Sequence, residues 1–123
     1  MKYLDLLTKM KEAGKTAERC KRELTNIAES GKKELYQTAN AKAAYMRAEG
    51  EFRRLKDEAS DMIRASEDPE LLRAMWQRRV YNVPWEEIPR RLLSNRSEMD
   101  LRLAAFEHIK RNYENRSAYS DCF

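Results

Sequence analysis

The side chains best suited to recognition chemistry fall between positions 78 and 102. Two arginine pairs, Arg78-Arg79 and Arg90-Arg91, precede a polar cluster of Asn95, Arg96, Ser97, Asp100 and Arg102. A guanidinium fork matches the O6/N7 edge of guanine, an Asn amide matches adenine, and a carboxylate accepts from the cytosine amino group. Carried on the first turns of one helix, such a set reads base edges in a major groove, while flanking arginines hold phosphates. Reaction chemistry has no comparable constellation. His108 is the sole histidine, with no catalytic partner at a useful spacing, and reads as a solvated helix residue. Glu86-Glu87 suits a helix N-terminus, where carboxylates meet the positive end of the macrodipole. There is no phosphate-cradling glycine loop, no nucleophile–base pair and no metal-ligand spacing, so we expect no enzyme, no cofactor and no metal. Cys20 and Cys122 read as free or buried thiols of a cytoplasmic protein.

These residues need a scaffold, and the composition specifies its class. Of 123 residues 41% are apolar and 37% charged, with only three Gly and three Pro. That balance predicts an all-α protein whose apolar residues lie in narrow stripes. No apolar run approaches the ~20 residues that cross a bilayer, and charges interrupt the opening MKYLDLLTKMKEAGK, unlike a signal peptide. The net charge of +4 permits a nucleic-acid partner without demanding one.

Counting by sevens from Tyr3 gives a seam that includes Met10, Leu24, Ile27, Tyr45, Phe52 and Leu55. A 3.5-residue apolar period predicts a coiled-coil arm over residues 1–66. Two geometries satisfy it. One is a single helix pairing with a second copy, and the other is a hairpin turning near Ser30-Gly31-Lys32. Gly31 favours the turn, whereas the unbroken register tips the reading towards the continuous, dimer-forming helix.

Basic residues change from mostly Lys to mostly Arg after Glu67-Asp68-Pro69. Asp68 and Pro69 are a helix N-cap and first turn, opening a helix that ends near Tyr81-Asn82. Pro84 opens a short helix through Trp85, Ile88 and Leu92, which Pro89 should kink. Asn95 then caps a last helix, with Glu98 completing a capping box, and Met99, Leu103, Phe106, Ile109 and Tyr113 form its inward stripe. Trp76, Trp85, Phe106 and Tyr113 are expected in the core. The boundaries are therefore an arm (1–66), a three-helix unit (67–116) and a tail (117–123).

The stretch RRVYNVPWEEIPRRLLSNRSEMDLRLAAFEHIKR resembles region four of sigma factors as it occurs in small phage-encoded transcriptional regulators. Arg79 and Tyr81 match the end of that family's first helix, and Trp85, Glu86, Glu87 and Ile88 match the next helix opening. Leu92 takes the family's leucine, Met99 the buried aliphatic of the recognition helix, and Ala105, Ile109 and Lys110 its distal face. Leu93 stands where the family has a turn glycine or small polar residue. The resemblance implies a helix-turn-helix that binds double-stranded DNA, a homodimer, and contact with RNA polymerase or another host protein. Base contacts then come from Asn95, Arg96, Ser97, Asp100 and Arg102, and phosphate contacts from Arg78, Arg79, Arg90 and Arg91. The alternative function is an adaptor or inhibitor that captures a host factor through helical surfaces, or a coiled-coil assembly protein. Glu98 and Asp100 favour that alternative, because they put negative charge on the face that would meet DNA.

Overall fold

Apolar residues spaced three and four apart, with charge between them, are hidden most simply by helix. The computed structural model contains no strand among the described residues, which are 2–30 and 35–112. Its elements are α1 (Tyr3–Glu29), α2 (Leu35–Ala65), α3 (Pro69–Arg79), a 3₁₀ turn (Trp85–Glu87), α4 (Ile88–Arg91) and α5 (Glu98–Asn112). The fold is all-α. The chain divides into two compact units, one built from residues 1–8 with 59–123 and the other from residues 9–58.

In the unit of residues 9–58 the single continuous helix is corrected. α1 ends at Glu29 and α2 begins at Leu35. A Cβ built on Gly14 would lie 3.4 Å from Phe52 Cε2, whereas one unbroken helix would separate those residues by about 57 Å. The two helices therefore fold back on each other as a hairpin. Gly31, which signalled the turn, lies outside the described residues. Met10 and Leu55 are buried, while Leu24, Ile27, Tyr45 and Phe52 are half-buried. Around them the surface is charged, with i,i+3 and i,i+4 pairs such as Arg54–Glu51 at 2.7 Å and Arg53–Glu49 at 2.5 Å. Pairing with Arg54 lowers the Glu51 pKa and raises that of Arg54.

The other unit does not follow the expected boundary at residue 66. Tyr3, Leu4, Leu6 and Leu7 are buried in it with Ala59, Ile63, Leu71, Leu72, Met75, Trp85 and Ile88. The Tyr3 hydroxyl donates to the Leu72 carbonyl at 2.6 Å, and Arg79 Nη2 donates to Thr8 Oγ1 at 2.9 Å. The reason is stripe width. Positions 3, 4, 6 and 7 are all apolar, a face broader than the two-per-seven seam of a paired helix, and such a face needs a globular core to cover it.

α3 begins as its sequence predicts, with Asp68 accepting from the Leu71 amide at 3.2 Å and Pro69 in the first turn. The short helix divides in two. Trp85–Glu87 is a 3₁₀ turn and Pro89 sits in the first turn of α4, where its missing N–H leaves no helical bond unmade. Trp85 is buried, and Trp76 and Phe106 are half-buried. Tyr113 and the tail 117–123 lie outside the described residues.

Candidate interaction surface

The connection from α4 to α5 fixes what this unit displays. Leu92 caps α4, Leu93 follows with φ 52°, the Leu93 amide donates to the Arg90 carbonyl at 3.2 Å, and the Ser94 amide donates to the Pro89 carbonyl at 2.9 Å. This is the two-bond Schellman termination, whose left-handed residue is usually glycine because a Cβ is strained there. Leu93 accepts that strain while 90% exposed. The other non-glycine residue with positive φ, Asn82 at 54°, is of a type that tolerates it.

The expected capping box of Asn95 and Glu98 is replaced by one residue. Ser97 Oγ accepts from the Asp100 amide at 3.2 Å, and the Ser97 carbonyl accepts from the Leu101 amide at 3.1 Å, so Ser97 starts α5. Asn95 is exposed in the turn. Of the expected inward stripe of α5, Ile109 is fully buried and Phe106 half-buried, but Met99 and Leu103 are corrected. Leu101, Ala105 and Ile109 are fully buried, whereas Met99 is 60% and Leu103 53% exposed. α5 carries two apolar rows, and its rotation decides between them. Arg96 pins that rotation just ahead of the helix, with Nη1 3.0 and 2.8 Å from the Asp68 carboxylate oxygens and 3.8 Å from Glu70 Oε1. Met99 therefore does not fill the place of a buried recognition-helix aliphatic.

The remaining base-contact candidates are distributed unevenly. Ser97 and Asp100 are exposed, while Arg102 is half-buried and paired with Glu98 at 3.2 Å. Among the phosphate candidates, Arg79 reaches Thr8, and Arg78 makes long contacts to Asn82 Oδ1 at 3.4 Å and to the Val83 carbonyl at 3.5 Å. Arg90 and Arg91 are exposed, and Arg91 stands 3.5 Å from Glu87. The two strongest base readers are thus engaged by carboxylates of their own chain.

No described protein family, curated protein or solved structure matches the chain. What the surface can do must come from its own chemistry. It displays the large apolar side chains of Leu93, Met99 and Leu103, each more than half exposed, and α5 also exposes Asp100 and Glu107. His108 is half-buried rather than solvated. Burial lowers its pKa, the Arg111 charge lowers it further, and the Asp68 carboxylate opposes both. Among the described residues no three His, Cys, Asp or Glu side chains gather as a metal site, and no helix is long and apolar enough to cross a membrane.

Sequence reasoning missed Asp68 and Glu70 as the counter-ions of Arg96, and missed Leu93, Met99 and Leu103 as outward residues. One signal was available for Leu93. A Leu-Leu-Ser step just past a helix end puts an apolar residue where chain reversal needs a positive φ.

Proposed function

We propose that the protein is a helical interaction module that docks another polypeptide on the outward side of α5. The observation that carries this reading is the exposure of Met99 and Leu103, one turn apart on α5, and of Leu93 in the turn that leads into it. Leu93 is strained as well as exposed, and the two hydrogen bonds that close the end of α4 require its left-handed backbone but not its large apolar side chain. Strain of this kind clusters at functional sites, and apolar side chains grouped on one face, as Met99 and Leu103 are, mark docking surfaces where scattered ones do not. Arg96 and Arg102, each already held by a carboxylate, would have to break an ion pair before reading a base.

The second reading is a sequence-specific DNA-binding transcription regulator. A short helix, a tight turn and a longer helix favour it, as do the exposed side chains of Arg90 and Asn95. One titration separates the two readings. A DNA binder loses affinity for random duplex steeply as salt rises, with a slope set by its phosphate contacts. The docking module should bind random duplex too weakly to define such a slope. Submicromolar binding at low salt that collapses with added salt and weakens on Arg90→Ala would overturn the docking reading.

A further inference from the structure

We infer that the polypeptide docked on α5 is a second copy of this chain, laid antiparallel across the same helix. The inference rests on the docking reading above and names its partner. At 100° per residue, Met99, Leu103 and Lys110 fall within about 40° of one another, while Asp100, Glu107 and Arg111 form a neighbouring row. All six side chains are exposed. Acidic residues occupy the first turn of α5 (Glu98, Asp100) and basic residues the last (Lys110, Arg111).

In an antiparallel pair related by a two-fold axis each row meets its own copy in reverse. With the axis level with residues 105 and 106, Asp100 of each chain faces Arg111 of the other, and Met99 lies along the aliphatic stem of Lys110. Leu103 sits near its own counterpart at the centre. The charged ends of one row and the apolar row are therefore each complementary to their own copy, as a two-fold interface requires, while Glu107 meets its own copy near the axis and costs part of that gain. In the hairpin of residues 9–58 the seam side chains Leu24, Ile27, Tyr45 and Phe52 are half-buried, whereas Met99 and Leu103 of α5 are more than half exposed, so α5 offers this partner the more open apolar row. A single helix face of 15 residues is a small interface, and the dimer it forms is weak and concentration-dependent.

The test is sedimentation velocity of the full chain over a hundred-fold range of concentration, with helicity checked by circular dichroism. We expect reversible dimers. Leu103→Lys should weaken them at least tenfold, as should Asp100→Arg alone and Arg111→Asp alone. The two reversals combined should restore most of the association. Asp100 and Arg111 are about 16 Å apart along one helix, so such rescue must act between chains. A chain that remains monomeric, or dimers indifferent to Leu103 or not rescued by the double reversal, would overturn the self-pairing. The docking reading itself falls only if the duplex titration shows salt-dependent DNA binding, so the two failures are distinguishable.

Discussion

Replacing Leu93 by glycine should make the protein more stable, although it deletes a large apolar side chain. With φ 52° an L-residue bears roughly 1–2 kcal/mol of strain from its Cβ. Glycine removes that strain but adds about 0.5–1 kcal/mol of unfolded-chain entropy. The side chain is 90% exposed, so little burial is lost. The balance is a gain of about 0.5–1 kcal/mol, which for a unit of this size raises Tm by roughly 2–8 °C. Leu93→Ala is the matched control. It removes the same atoms beyond Cβ but keeps the strain, and should leave Tm within about 2 °C of the parent. Thermal melts by circular dichroism, with urea midpoints at constant m-value, give the answer. If glycine and alanine at position 93 behave alike, or glycine destabilises, the left-handed termination of α4 is wrong, and the strain argument for an outward role of Leu93 goes with it.

Three further outcomes follow from the same geometry. Leu101→Ala, in a fully buried position, should cost about 2–5 kcal/mol, while Leu103→Ala in dilute solution should cost under 1 kcal/mol; urea unfolding of both checks the rotation of α5. Gly50→Ala places a Cβ with nothing within 4 Å inside α2, and should stabilise the hairpin by about 0.5–1 kcal/mol, read from amide exchange in residues 9–58. The His108 pKa is held below 6.5 in the folded chain, chiefly by burial. The unfolded chain therefore binds the extra proton first, and stability falls as pH drops through 6.5 towards the lowered value. His108→Gln should flatten that part of a urea-midpoint profile against pH.

Much of the architecture was legible because it follows local rules. Asp68 before Pro69 announces a helix start, and the heptad seam from Tyr3 onward predicts which side of α1 and α2 is covered. What covers that side was not legible. A seam of period 3.5 reads the same whether its partner is another chain or the same chain after a turn, and only the Gly14–Phe52 approach separates the two. The width of the stripe was the unused clue at the N-terminus, where four apolar residues in five positions ask for more than one neighbouring helix. In α5 the pattern held two answers. Met99-Leu103 and Leu101-Ala105-Ile109 are both helical rows, and the row with the smaller side chain won. The deciding contact, Arg96 with Asp68, joins residues 28 positions apart that no periodicity connects. For the same reason Arg96 looked like a base reader in the sequence and is an ion-pair partner in the fold.

The burial of Tyr3, Leu4, Leu6 and Leu7 beside helices from the far half of the chain has a consequence for biosynthesis. Residues 3–7 belong to a core whose other members are translated more than fifty residues later. While synthesis continues, their apolar side chains have no permanent neighbours, and the bond from Tyr3 to Leu72 spans 69 positions. Closure over such a span is slow relative to helix formation. Residues 3–7 are then a stretch open to chaperones while synthesis continues, and a substitution there disturbs maturation of a core built mostly from residues 59–109.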